Sequence, residues 1–310
     1  MRVLHVENPA GVPYALSRGQ REAGAESDVL ETWKLPYAYG HDLENYYTGG
    51  VKDILRLART VNIGRRYDII HLHTGLPRKR LDMVALRLFF GKPLVVHYHG
   101  SETRKGYGMY YRSLVDLRLV STPDLLGYHP DAFYVPNPMK EMPQAPWPTG
   151  RLRILHLPTN REIKGTVRLE AALEGLKARY DFELVVREGM THEAALKEMA
   201  CAHLIVDEVG DTTSTGVRGR LNVAALEAMM LGRPVITNLD QDMMAYYPGC
   251  PVQNISQGVA SLQERLEQAL SHPERLAEIG RKGREYVLSN HDPKKVAEMV
   301  YKLYAAHLRL

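Results

Sequence analysis

Cysteine is almost missing from this chain: 310 residues contain two, Cys201 and Cys250, in no metal-like or redox-like spacing. That argues against a disulfide framework and fits a reducing, cytosolic compartment. No stretch approaches 18 consecutive apolar residues, so no membrane span is expected. The opening segment, Met1 to Glu7, reads as a strand too soon interrupted to be a signal peptide. Neither sign of charge dominates, with 40 basic against 36 acidic residues and a formal net charge of +4. This balance leaves no nucleic-acid footprint and allows only weak attraction to an anionic membrane or substrate. Low-complexity segments and short-period repeats are absent. What is present is the composition of an ordinary globular protein, 45% hydrophobic and 25% charged. The length accommodates two domains of roughly 100–200 residues.

Short apolar runs alternate with helical stretches from end to end. Val3 to Val6, Asp68 to His73, Pro93 to His99, Arg118 to Ser121 and Phe133 to Val135 read as strands. Continuous β-branched runs separated by helices predict a parallel sheet covered on both faces. The Pro-rich stretch Met142 to Pro148 suits neither helix nor strand and reads as an interdomain linker. The alternation then restarts: a strand over 153–157, a helix over 166–179, a strand over 182–186, a helix over 192–202, then strands at 204–206 and 234–237. The tail from Pro273 is helical, with apolar residues at helical spacing. The fold class is therefore α/β with two doubly wound, Rossmann-like domains facing a cleft. We place them at 1–145 and 146–290, with a C-terminal helix over 291–310 packing back on the first.

Ligands in open α/β sheets collect beyond the carboxyl ends of the strands, and chemistry-bearing residues fall there. Gly11 and Pro13 bracket a helix start after the first strand, where glycine lets backbone approach a phosphate or sugar. His71 with His73, and His97 with His99, lie two apart and so on one strand face each. His71 reads as a packed core histidine, and no carboxylate or Cys spacing supports zinc beside these pairs. His99, at a strand exit beside Gly100, Ser101 and Glu102, is placed to face a cleft. After the first strand of the second domain, Asn160-Arg161-Glu162-Ile163-Lys164-Gly165-Thr166 offers two cations and a helix start to a diphosphate; the alternative is a solvated basic turn. The segment Asn222 to Asn238 reads as a helix, a Gly-containing turn and a buried strand. Its helix N-terminus, near Val223, Ala224 and Leu226, suits a diphosphate, with Glu227 one turn in to meet ribose hydroxyls. Asp240-Gln241-Asp242 reads as a surface turn rather than a metal-binding Asp-x-Asp.

Together, in order and spacing, these segments resemble the retaining glycosyltransferase family 4 of the GT-B fold over nearly the whole chain. The motifs include Ala10 to Pro13, Asp68 to His73, His97 to Glu102, Ser121 to Leu126, Val135 to Pro138, Asn160 to Thr166 and the Glu227 segment. The resemblance implies sugar transfer from a nucleoside-diphosphate sugar, UDP- or GDP-linked, with retention of configuration. It implies no cofactor and no metal, the diphosphate charge being met by Arg161, Lys164 and a helix dipole. It assigns donor contacts to Gly11, Asn160, Arg161, Lys164, Val223, Ala224, Leu226 and Glu227. Catalytic roles go to His99, Lys164 and Arg161, and the acceptor side to His99, Ser101 and Glu102. The acceptor is a glycan, a glycolipid or a small molecule. Acceptor contacts are expected from loops over 34–47 and 104–111.

Two departures stand out. The Arg161/Lys164 pair is more tightly spaced than in many members. Members often carry a carboxylate eight positions before the helix Glu, and here that position is Gly219, with Asp207, Glu208 and Asp211 nearby. Two other readings stay open, a nucleotide-sugar 2-epimerase and a non-catalytic GT-B subunit that binds a nucleotide sugar. No nucleic-acid partner is expected. The basic helix around Arg56 to Arg66 is a candidate for peripheral contact with the inner face of a membrane, in a cytoplasmic enzyme of polysaccharide biosynthesis.

Overall fold

Strands that are apolar at nearly every position can be buried on both faces. That is how β1 (Arg2–Val6), β4 (Ile69–Leu72) and β5 (Leu94–Tyr98) are used. The computed structural model describes residues 1–34, 39–73, 80–100, 103, 112–210, 219–255 and 258–309. They fall into two units, Met1–Lys140 with His291–Leu310, and Glu141–Asn290.

The first unit is built on a seven-stranded sheet ordered β3-β2-β1-β4-β5-β6-β7, with every pairing parallel. Its other strands are β2 (Glu26–Glu31), β3 (Leu43–Glu44), β6 (Leu117–Val120) and β7 (Phe133–Tyr134). Helices α1 (Val12–Glu22), α2 (Asp53–Gly64) and α3 (Leu81–Phe90) connect the early strands. The expected strand pattern misses β2 and β3, because Glu26, Asp28, Glu31 and Glu44 interrupt their apolar runs. The order reverses between β1 and β4, which makes their carboxyl ends the switch point where a ligand crevice forms.

One face of this sheet is closed by the C-terminal helix, α11 (Pro293–His307), which packs on α1. Its Val296, Ala297, Val300 and Tyr304 join Val3, Leu16, Ile69 and Val95 in one apolar cluster. Asp292 caps the helix by accepting from the Lys295 amide at 2.8 Å. Gly19 makes the close approach possible, since a Cβ there would lie 2.1 Å from the Pro293 carbonyl oxygen.

The second unit holds a five-stranded parallel sheet, β12-β11-β10-β8-β9. The strands are β8 (Leu152–His156), β9 (Phe182–Val186), β10 (Leu204–Val206), β11 (Val235–Asn238) and β12 (Gln253–Ile255). Between them run α4 (Arg161–Lys164), α5 (Thr166–Glu174), α6 (His192–Ala200), α7 (Val223–Met230) and α8 (Gln241–Met244). Then follow α9 (Val259–Ser271) and α10 (Leu276–Asn290). Here the order reverses between β8 and β10. Asp240 and Gln241, expected as a turn, stand at the start of the one-turn α8.

The Pro-rich stretch read as a linker is docked on the second unit. The Ala145 amide donates to the Leu231 carbonyl at 3.2 Å. The fully buried Arg233 donates to the carbonyls of Pro146 and Ala200 at 2.5 and 2.7 Å, beneath the Trp147 ring. Proline lacks an amide donor but keeps its carbonyl, so a buried arginine finds acceptors there. Among the described residues, no helix is long and apolar enough to cross a membrane.

Candidate functional site

In the second unit the switch point brings together residues from three loops. Asn160 ends the loop after β8 and caps α4, its Oδ1 accepting from the Ile163 amide at 2.9 Å. That turn aims Lys164 inward, where it is 8% exposed, while Gly165 takes a left-handed φ of +75° to restart the helix. The Lys164 ammonium donates to Asp207 at 2.8 Å and lies 3.4 Å from Glu208. Both carboxylates leave the end of β10 and are buried. A buried ammonium needs such partners, because desolvation of an unpaired charge is prohibitive.

Asp207 is the hub. Its second oxygen accepts from Asn222 Nδ2 at 2.5 Å, and Asn222 is the residue that caps α7, accepting from the Ala225 amide at 3.1 Å. One carboxylate thus ties the predicted phosphate-binding lysine to the predicted phosphate-binding helix start. Val223 and Ala224, the first residues of α7, are half-buried, and first-turn amides have no carbonyl within their own helix. The Leu226 amide instead donates to the Asn222 carbonyl at 3.2 Å, and its side chain is buried. Leu226 therefore supports the helix rather than offering a donor to a ligand.

Glu227 is buried one turn in and accepts from His192 Nε2 at 2.6 Å. That hydrogen bond, with the charge of Glu227, holds the His192 pKa above the usual histidine value. His192 is the first residue of α6 and had no sequence signal beyond its type.

Arg161 goes elsewhere. Its guanidinium is at the surface, paired with Glu188 at 2.5 Å and Glu170 at 3.0 Å. The structure thus does not group it with Lys164: Glu170 and Glu188 hold the guanidinium at the surface, whereas Lys164 turns inward to Asp207. Arg220, which flanks Gly219 and carries no expected role, donates to Glu208 at 3.1 Å. Gly219 beside it is buried, and a Cβ there would sit 2.7 Å from the Asn238 carbonyl and 2.9 Å from the Asp240 amide. A side chain at this position has no room, so this backbone does not accommodate the carboxylate that the sequence resemblance would put there. Asp211 lies outside the described residues.

The first unit carries two further features. At its switch point the loop after β1 is conformationally unusual: Glu7, Ala10 and Gly11 have φ of 70°, 54° and 72°. Such strained backbone persists where surrounding structure over-determines it, and it clusters at functional sites. Glu7 is buried and bound by Arg80 at 2.9 Å and by Thr32. Arg80 also lines a cavity of about 730 Å³ with Trp33, Tyr47, Ile54, Leu57 and Leu81. Exposed apolar side chains also occur just before α2 (Val51), on α2 (Ile54, Leu55) and on α3 (Leu88, Phe89).

The second feature is a stripe of imidazoles. His99 is half-buried just past β5, with its Nε2 3.1 Å from His73 Nδ1. His73 Nε2 is 2.7 Å from His5 Nδ1, and His5 Nε2 is 2.7 Å from Gln20 Oε1. His71 is the packed core residue expected, meeting the Tyr304 hydroxyl at 2.6 Å. Burial lowers the pKa of His5 to about 4 and holds His71, His73 and His97 well below the usual value. All four are therefore neutral near pH 7. Ser101 and Glu102, named for the acceptor side, lie outside the described residues, as does the whole of the 104–111 loop.

Comparison with known proteins places this geometry in context. Residues 161–301 match the model of the glycosyl transferase-like family, a segment that includes Lys164, Asp207, Asn222 and Glu227. No curated protein sequence matches the chain. Among solved structures, it is similar to Anabaena HepE in complex with UDP, at a TM-score of 0.66 and 13% identity, over 99% of this chain and 100% of that one. It is also similar to sucrose-phosphate synthase from Thermosynechococcus elongatus (0.67, 16%, 99% of each chain). An alpha-glucosyltransferase in complex with UDP gives 0.70 at 9% identity, over 98% of this chain and 100% of that one. At such identities the likeness shows the fold, which is GT-B.

Proposed function

We propose that the protein transfers a sugar from a nucleoside-diphosphate sugar to a lipid-linked acceptor, with retention of configuration. The observation that carries this reading is the Lys164–Asp207–Asn222 linkage at the second unit's switch point. It sets an ammonium and the amides of Val223 and Ala224 around one place, with Glu227 one turn further in. An ammonium and first-turn amides are what a departing diphosphate needs, since its charge grows as the sugar leaves. Lys164 and the helix start take that charge, so the residues supply what a metal would. Glu227, oriented by His192, accepts from the ribose hydroxyls. Gly11 and His99 keep the donor-sugar roles the resemblance gives them, and Arg161 becomes a peripheral contact.

The UDP held by HepE and by the alpha-glucosyltransferase supports a uridine donor. The apolar-lined cavity of the first unit, with exposed aliphatic and aromatic residues on α2 and α3, supports an acceptor with a hydrocarbon portion. Apolar patches of this kind on a surface mark a membrane or ligand contact.

The test is a panel of nucleotide sugars, read by thermal shift and by donor hydrolysis with and without detergent-solubilised lipid acceptors. Stabilisation by one nucleotide, with turnover of its sugar, is expected. A nucleotide that binds with no sugar hydrolysed or transferred would overturn the enzyme reading in favour of a binding subunit.

A further inference from the structure

Five histidines face one another inside the first unit, contributed by three adjacent parallel strands and their exits. The register pairs His5 with His71 and His71 with Val95; because side chains alternate, His5, His71, His73, His97 and His99 share one face. Ring centroids are 4.2 Å apart for His71–His73, 5.4 Å for His73–His97 and 4.7 Å for His97–His99. His5, His71, His73 and His97 are 0% exposed. An aliphatic side chain at any of these places would bury without an unmet hydrogen bond. His97 instead has neither ring nitrogen partnered among the described residues. Each such buried group costs about 1–3 kcal/mol, so a fold that keeps it has use for its lone pair.

We propose that His73, His97 and His99 form a binding site for a divalent transition-metal ion of the zinc class. One ring nitrogen from each, together, lie within 4.8 Å of one another. Small side-chain rotations close that spacing to the ligand separations of a tetrahedral centre with Zn–N bonds of about 2.0–2.1 Å. Three imidazoles leave the fourth position open, on the side where His99 is half-buried.

The hydrogen-bond network assigns the ligand atom of His73. Gln20 Oε1 accepts from Ser27 Oγ at 2.8 Å and from His5 Nε2, which puts the His5 proton on Nε2. His5 Nδ1 then accepts from His73 Nε2–H, and His73 Nδ1 is left with its lone pair toward the cluster. This is the outer-shell arrangement metal-binding histidines use: the non-ligating N–H is held by a fixed acceptor, which sets tautomer and ring orientation. In the metal-free chain the His99 Nε2 proton fills the gap to His73 Nδ1. On binding, His99 carries its proton on Nδ1 instead, and no proton need be released.

The experiment uses the full chain, stripped with chelator and titrated with Co²⁺ by visible absorption and with Zn²⁺ by calorimetry. One Co²⁺ per chain with the intense bands of a four-coordinate ion, displaced by Zn²⁺, is expected. His97→Ala should lower affinity by more than the roughly 10–100-fold typical of losing an outer-shell partner, and His5→Ala by about that outer-shell amount. His272→Ala, an exposed histidine of the second unit, should leave binding unchanged. Should His97→Ala fail to fold, Zn²⁺-induced shifts of the ring nitrogens of His73, His97 and His99 in the unmodified protein decide the matter. The absence of stoichiometric binding, binding that survives His97→Ala, or shifts confined to other histidines would overturn the proposal. None of these readouts depends on sugar transfer.

Discussion

Replacing Lys164 with methionine separates what its charge does for the fold from what it does for chemistry. The side chain is 11% exposed and faces carboxylates that are 5% and 6% exposed. Breaking a buried pair by removing one partner costs about 3–5 kcal/mol, because it strands the other charge. Two contacts soften the loss here: Arg220 still serves Glu208, and Asn222 still donates to Asp207. The lower end, about 3 kcal/mol, is therefore the expected cost. At about 2–4 °C per kcal/mol for a domain of this size, the second unit's transition should fall by roughly 6–12 °C. Adding Asp207→Asn removes the stranded charge while keeping an oxygen for Asn222, so the double variant should regain most of the lost stability. Sugar transfer should behave differently. Loss of one preorganised charge-stabilising donor lowers kcat by about 10²–10³-fold, and the double variant should stay at that level. Scanning calorimetry and donor turnover on the two variants are the measurements. Wild-type turnover in Lys164→Met, or full recovery of turnover in the double variant, would refute the diphosphate role.

Glu227→Ala removes a charged acceptor, so UDP affinity measured by calorimetry should fall by roughly 10–100-fold; unchanged affinity would count against the ribose contact. His192→Ala should weaken binding less, since Glu227 keeps its charge. The His192–Glu227 pair raises the histidine's pKa. Its stabilisation is therefore full below the unfolded histidine value and lost as pH rises through the folded one. Gly219→Ala places a Cβ against the Asn238 and Asp240 backbone. We expect a cost of about 1–3 kcal/mol in urea denaturation, and a variant as stable as wild type would contradict the packing described. His291, 2% exposed, donates from Nδ1 to the Asn137 carbonyl at 2.8 Å, and burial lowers its pKa to about 4. Its folded pKa lies below its unfolded one, so its contribution is full above about pH 6.5 and drains away as pH falls toward 4. The total is about 3 kcal/mol. His291→Gln should flatten that part of the first unit's pH–stability curve, and an unaltered curve would show that His291 is not its source.

Much of this molecule was legible in one dimension because its strands are buried on both faces. Runs such as Ile69 to Leu72 and Val235 to Asn238 declare themselves without knowledge of their neighbours. The edges did not: β2 and β12 carry Glu26, Asp28, Gln253 and Asn254, since a strand near a sheet margin tolerates polar side chains. Of the site, Lys164 and Glu227 could be named from their positions at a turn and a helix start. Their pairings could not, because Asp207 and His192 reach them across 43 and 35 residues of chain. Local pattern carries no record of such contacts. The direction of Arg161 was equally invisible, being decided by Glu170 and Glu188 on neighbouring elements.

Strand order is the information that converts these separate residues into a site. A sheet wound β9-β8-β10-β11 must set the loops after β8 and β10 side by side. Lys164 and Asp207 follow from that adjacency, and the cap residue Asn222 follows from Asp207. The same logic acts in the first unit, where the β1–β4–β5 order gathers His5, His73, His97 and His99 from three strands. Period-two spacing within each strand was visible beforehand, and it pointed to nothing. Only the parallel register, which aligns His5 with His71 and seats β5 beside β4, turns pairs of histidines into a cluster whose lone pairs converge. A single-residue slip of β5 against β4 would carry His97 and His99 to the opposite face. The cluster is therefore a property of the register and not of histidine content, and its chemistry stands or falls with the three side chains that the register brings together.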